Sequence, residues 1–316
     1  MNDKKIWLLA LAIVPLYFLR GQSAPPSGPI TGEWTLELNP QGVQFSIHRS
    51  WGLNNYSSSS GYDFDDFRGL SRARIEAGGP AKFEMPRDAG TLACEGNFRN
   101  SGGGGTFVFT PSSDYVAALH SLGYNNLDAD RLFELAVHNV SRAYIRELDE
   151  NGYHHLPLDQ LIHLRIHGVT GEFAATLKQA GYGTLTADQL VQLRIHGVTS
   201  EYMRGFQDMG YQRIPVDDLV QLRIHGVTTE FVNQLRGMGY GRAGVNELVQ
   251  LQIHGVSAGF VKELQALGYK NVPLEDLVQL RIHGVTASMI QKLQAAGYKN
   301  LSTDQLVQLR IHGVVE

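Results

Sequence analysis

One eleven-residue phrase, Asp-Gln-Leu-Val-Gln-Leu-Arg-Ile-His-Gly-Val, occurs at 188–198 and again at 304–314, and near-copies of it fill the interval. Its histidine falls at His138, His167, His196, His225, His254, His283 and His312, 29 residues apart each time. A Gly-Tyr pair keeps the same beat through Tyr124, Tyr153, Tyr182, Tyr211, Tyr240, Tyr269 and Tyr298. Seven units of one length thus occupy residues 112–314 without an insertion. Self-similarity at such a fixed period marks a stacked array, in which each unit buries its apolar face against its neighbours.

The unit from Thr170 to Val198 shows how each repeat is built. Thr170 caps a helix over about 171–180 whose apolar residues Phe173, Ala174, Leu177 and Ala180 share one face, and Gly181 ends it in the left-handed conformation. Thr186 caps a second helix over about 187–196, with Gln189 as its capping-box partner and Gly197 as its terminator. Ser141, Thr199, Thr228, Ser257 and Thr286 repeat the first cap, and Pro157, Pro215 and Pro273 stand near the second, where their fixed φ suits a first helical turn. Two leucine ladders, one from Leu132 to Leu306 and one from Leu135 to Leu309, supply the core of the second helices. Tyr115, Tyr144, Phe173, Tyr202, Phe231, Phe260 and Met289 do so for the first. Ten-residue helices do not persist alone, so stacking must hold them. The expected fold is α+β in two domains: a small antiparallel β meander or sandwich at 32–111, then an α-solenoid of seven 29-residue helical hairpins at 112–314.

The β reading rests on alternation. Trp34, Leu36 and Leu38, then Val43, Phe45 and Ile47, have a period of two, which predicts strands at 33–38 and 42–49. The Ser/Asn/Gly-rich stretch 51–61 reads as a loop, and further strands are expected at 73–76, 81–85, 91–98 and 106–110. Gly102 to Gly105 reads as a flexible hairpin, since no Gly-Lys-Ser/Thr or helix follows to make a phosphate loop. Trp34, Trp51, Phe107 and Phe109 are read as core rather than as a ligand cage. Asp63, Asp65 and Asp66 lack the later Gly and Glu of a calcium loop.

Ahead of this module, Lys4 and Lys5 precede an apolar run from Ile6 to Leu19, the order of an export signal. Residues 1–24 are therefore expected to be a signal peptide or an uncleaved membrane anchor, with 25–31 as a Pro/Ser/Gly linker. The rest of the chain is then exported to the periplasm, the cell surface or the medium.

Two polar ladders run through the repeats. The histidines sit where a helix dipole and free carbonyls favour them, which is a structural role. Arg165, Arg194, Arg223, Arg281 and Arg310 form a row two residues earlier, broken by Ala136 and Gln252. Asp159, Asp188, Asp217, Glu275 and Asp304 run beside it, with Asn246 in the unit that has Gln252. That joint loss predicts Arg-to-carboxylate pairing between units, a rule that Asp130 with Ala136 in the first unit does not follow, and the Arg row is also the candidate partner-binding surface. Because the last unit repeats an internal copy, Val307 and Ile311 are candidate self-association residues, through paired C-termini or docking on a neighbour's β module.

Catalytic motifs are missing from the sequence, and the single cysteine, Cys94, builds neither a disulfide nor a Cys-based metal site. A formal net charge of −4 argues against a nucleic-acid partner. No enzyme activity, metal or cofactor is expected. The segments Asp88-Ala89-Gly90-Thr91 and Gly105 to Pro111, followed by units reading Gly-Val-Thr-x-Glu-Phe and Gly-Tyr, resemble the tails of a group of bacterial envelope repeat proteins. Some of those carry the tail behind a membrane metallopeptidase module of the β-lactam-sensor type, which this sequence lacks together with its zinc motif. The resemblance implies architecture and envelope location, and no catalytic residue is carried over. The resulting expectation is an interaction or scaffold protein that binds a protein or peptide along its helical face. The alternatives are a self-assembling structural protein and a small-molecule sensor or enzyme using the β domain.

Overall fold

The computed structural model describes residues 29–51, 54–183 and 185–313. The expected N-terminal signal or anchor, most of the linker and the last three residues lie outside them. The architecture is α+β: a six-stranded antiparallel sheet is followed by fourteen helices among the described residues. Two compact units divide the chain. One runs through Asp65 and includes Gly69–Phe83 and Ala93–Phe109; the other takes Asp66–Arg68, Glu84–Leu92 and the chain from Thr110 onward.

The strands are β1 (Ile30–Leu38), β2 (Val43–Trp51), β3 (Asn54–Tyr62), β4 (Gly79–Arg87), β5 (Gly90–Arg99) and β6 (Gly102–Pro111), in the order β3-β2-β1-β6-β5-β4. Two three-stranded meanders are thus joined by the pairing of β1 with β6. Trp34 on β1 and Phe83 on β4 have ring centroids 4.9 Å apart, and Phe45 on β2 lies 6.1 Å from Phe83. In a flat sheet three strand spacings would hold β1 and β4 roughly 14 Å apart. The sheet therefore curls around an aromatic core of Trp34, Phe45, Phe83 and Phe98, and Trp34 Nε1–H donates to the Glu95 carbonyl at 3.2 Å. Trp34, Phe107 and Phe109 are fully buried, as the alternation predicts; the Trp51 side chain lies outside the described residues.

Three local expectations are corrected. The stretch read as a loop at 51–61 is largely β3, which pairs with β2 alone and faces solvent. Serines suit an exposed edge strand, because Ser46 and Ser59 hydroxyls hydrogen-bond across it at 2.7 Å and Gln44 Nε2 donates to Ser59 at 2.8 Å. The segment read as a strand at 73–76 is the helix α1 (Arg72–Ala77), started by Ser71, whose hydroxyl accepts from the Arg74 N–H. The tetraglycine is no hairpin but part of β6, paired with β1 at Trp34↔Gly105 and Leu36↔Gly103. A Cβ at Gly103 would fall 2.6 Å from Phe98 Cδ1, so only glycine lets β6 lie against the packed ring of the neighbouring strand. The sheet also starts at Ile30, two residues before the expected boundary.

The helices alternate in two sets. The even set is α2 (Ser113–Ser121), α4 (Arg142–Glu150), α6 (Gly171–Gln179), α8 (Ser200–Asp208), α10 (Thr229–Gly237), α12 (Ala258–Ala266) and α14 (Ala287–Ala295). The odd set is α3 (Ala129–Val137), α5 (Leu158–Ile166), α7 (Ala187–Ile195), α9 (Val216–Ile224), α11 (Val245–Ile253), α13 (Leu274–Ile282) and α15 (Thr303–Ile311). From α5 to α15 each odd helix packs on the next odd one, and α2–α4–α6 and α8–α10–α12–α14 pack likewise. The predicted caps are in place: Thr170 accepts from the Phe173 N–H at 3.0 Å, and Thr186 with Gln189 forms a full capping box. Pro157, Pro215 and Pro273 occupy the N-cap itself, with φ of −52°, −53° and −52° and no side-chain cap bond. Gly181 and Gly197 end their helices at φ of +90° and +65°.

The Gly-Tyr signature ties one unit to the next. Tyr124, Tyr182 and Tyr211 hydroxyls donate to the carbonyls of Leu156, Ile214 and Ala243, each 32 residues on. Gln207, Gln265 and Gln294 donate back to the Ala180, Met238 and Leu267 carbonyls, 27 residues earlier. Within the same compact unit, Asp88 accepts from the Arg142 backbone N–H at 2.7 Å and from its guanidinium Nε at 2.9 Å. Partial burial works to raise the Asp88 pKa, but the hydrogen bonds and charge of Arg142 outweigh it and hold the carboxyl below its ordinary 3.8.

Candidate functional site

The odd helices present one outer face. The inward leucines of α7, Leu190 and Leu193, are both 0% exposed, as are Leu219 and Leu222 of α9. Two residues beyond the second leucine, at the last helical position, stands an isoleucine. It is Ile166, Ile195, Ile224, Ile253, Ile282 and Ile311 in turn, exposed by 54%, 56%, 52%, 45%, 49% and 52%. A two-residue step turns about 200° around a helix, which carries these side chains away from the leucine core. Only in α3 is the equivalent, Val137, buried.

Scattered exposed isoleucines need no explanation, but six at one repeated place on stacked helices are a stripe. With neighbouring helices about 8–10 Å apart, they offer on the order of 500 Å² of mainly apolar surface, near the largest patch usual on a soluble chain. Exposed Gln192, Gln221, Gln250, Gln279 and Gln308 stand three residues before five of them, and His163 before Ile166. Between α11 and α13 the face dips into a groove of about 470 Å³, walled by Leu274, Val278 and Ile282 on one side and Asn246, Gln250 and His254 on the other.

Positive and negative rows border the stripe at opposite ends of the helices. Asp159, Asp188, Asp217, Glu275 and Asp304, in the first turn, are all exposed. Four arginines of the row near the other end turn elsewhere. Arg165, Arg194, Arg223 and Arg281 instead lie over the rings of Tyr144, Phe173, Tyr202 and Phe260, with guanidinium carbons 4.9, 5.4, 4.9 and 5.1 Å from the centroids. Arg165 Nε also donates to the Asn139 carbonyl at 3.2 Å, at the C-terminal end of the preceding odd helix. The expected Arg-to-carboxylate pairing is thereby corrected: six residues separate acid from Arg along one helix, and the nearest complement is the aromatic ring of the same repeat. Asp159 is engaged by Arg131 of the preceding repeat, and Asp276, the residue after Glu275, accepts from Thr303 Oγ1 at 2.7 Å.

The histidines are C-caps throughout, and the His196 backbone N–H, for example, donates to the Gln192 carbonyl at 3.1 Å. Burial pushes the His138 pKa down, and burial with the charge of nearby His163 lowers that of His167. Among the described residues no group of three or more His, Cys, Asp or Glu is placed to hold a metal ion. Asp66 is paired with Arg87 at 3.0 Å, and Cys94 is buried, its thiol pushed up to about 12. Of the two self-association candidates, Ile311 continues the stripe and Val307, one turn earlier on α15, is half-buried. The other five isoleucines were hidden in the sequence because an apolar residue inside a leucine-rich phrase reads as core. Their phase against Leu190 and Leu193 was the signal. No helix among the described residues is long and apolar enough to cross a membrane. Compared with known proteins, the chain matches no protein-family model, no curated protein and no solved structure.

Proposed function

We propose that this chain is a non-catalytic interaction or scaffold protein of the bacterial envelope, in which seven 29-residue hairpins form an α-solenoid and its odd-helix face binds a protein partner. The observation that carries this reading is the isoleucine stripe, repeated on six successive odd helices and left half-exposed on every one. Apolar surface exposed at one place in each repeat has no use in folding and is retained where a partner covers it. Gln and Arg beside it supply the polar rim usual for such surfaces. The envelope location rests on the charged-then-apolar N-terminus and on the resemblance to envelope repeat proteins.

The test is photocross-linking in cells that produce the full chain with a photoreactive residue at position 221, on the stripe. A light-dependent adduct that disappears in the Ile224→Ser/Ile253→Ser background is expected. An absence of adducts, or adducts indifferent to those substitutions, would contradict the reading.

A further inference from the structure

We infer that the partner on the isoleucine stripe is a second copy of this chain, docked face to face with its odd helices antiparallel to those of the first. This rests on the reading of the stripe as an interaction surface and names its occupant. The stripe is uniform: each rung from α7 to α15 repeats the same leucine, glutamine and isoleucine places, and the phrase in α7 recurs unchanged over 304–314. The best complement of a row with constant spacing is another row with that spacing, and a second copy has it.

Charge then selects the orientation. Five of the six rungs place an acid at the second position of the helix and an arginine near its end, as in Asp188 with Arg194 and Asp217 with Arg223. Helices laid parallel across the interface would put acid on acid. Antiparallel helices, related by a two-fold axis along the stacking direction, put the acid row of each copy against the Arg row of the other. Under that symmetry every rung meets its own equivalent. The one rung of the stripe that lacks Arg, with Gln252, has Asn246 at the acid's place, and its first-turn carboxylate, Glu247, accepts from the Gly244 N–H at 2.7 Å. α3, where Val137 is buried and Arg is replaced by Ala136, falls outside the interface.

The area suffices. Six half-exposed isoleucines, with the exposed Gln and acidic rungs between and beside them, bring the face to about the 800 Å² per partner of a standard stable interface.

Sedimentation equilibrium of the full chain tests this. The wild-type protein is expected at twice the chain mass. Ile224→Lys/Ile253→Lys is expected to be monomeric with its helical circular dichroism unchanged. Asp188→Lys/Asp217→Lys should weaken the dimer at least about tenfold, and so should Arg194→Glu/Arg223→Glu. All four changes in one chain should restore the wild-type dimer constant to within about threefold, because each reversed rung then meets its own reversed equivalent. A monomeric wild type, an Ile224→Lys/Ile253→Lys dimer, or a four-fold variant as weak as its parents would overturn the proposal. If the wild type is monomeric while the position-221 cross-link still captures another protein through the stripe, only self-pairing falls. If the cross-link also fails, the interaction reading falls with it.

Discussion

The guanidinium of Arg223 lies 4.9 Å from the centre of the Tyr202 ring, and the hydroxyl of the same tyrosine donates to the Val227 carbonyl at 2.7 Å. One aromatic side chain thus ties the start of α8 to the end of α9, with arginine on its face and the turn at its tip. An exposed cation–π contact stabilises by about 0.5–1 kcal/mol. A double-mutant cycle of Arg223→Gln and Tyr202→Leu, followed by urea unfolding, should return a coupling energy of that size. A coupling near zero would mean that the arginine is held elsewhere.

The inter-unit tyrosines should differ sharply from one another. Tyr211→Phe removes the donor to the Ala243 carbonyl at 2.6 Å and is expected to cost about 0.5–1.5 kcal/mol. Tyr298, 58% exposed at the equivalent place, should tolerate Phe within about 0.5 kcal/mol. Equal costs in thermal unfolding would show that the Tyr211 hydroxyl does not bind the next unit.

Leucine and isoleucine of one helix should also separate. Leu219→Ala opens a cavity at a fully buried site and should cost about 2–5 kcal/mol, whereas Ile224→Ala, at 52% exposure, should cost far less when measured on dilute protein. A large loss for Ile224→Ala would make the stripe part of the core.

Acid should destabilise the chain in two steps. The His138 pKa is lowered by burial, so its contribution is complete above its ordinary 6.5 and is lost as pH falls below that value through the folded one. His138→Gln should flatten the stability profile in that window. Asp88, held below its ordinary 3.8 by Arg142, contributes fully above that value and is lost as pH falls through its lower folded one. Asp88→Asn should remove the second step and leave the first. A stability curve flat from pH 7 to 4 would contradict the first assignment.

The helical part was legible because its punctuation is local: Ser or Thr at a cap, Gly at φ near +65° to +100° after the last turn, leucine at fixed phase. The sheet was less so. Five of its six strands are visible in the alternation, but β3 is written in serines that suit an exposed edge, and the glycines of β6 answer to Phe98, a tertiary neighbour that periodicity does not reveal. α1 was misread because Ala73 to Glu76 is too short to show a helical period, although Ser71 stands at its cap. The arginine row was found, but its ring partners lie 21 residues earlier in the sequence, beyond any local pattern.

On the proposed function, the isoleucine stripe is covered in the working protein and bare in the dilute, isolated chain. Carbene footprinting of side chains measures this directly, comparing dilute purified protein with protein in intact producing cells. Ile195, Ile224, Ile253 and Ile282 should be labelled in the dilute sample and protected several-fold in the cells, while Val108, 43% exposed in the sheet, should be labelled equally in both. Equal labelling of the isoleucines in the two samples would contradict the account.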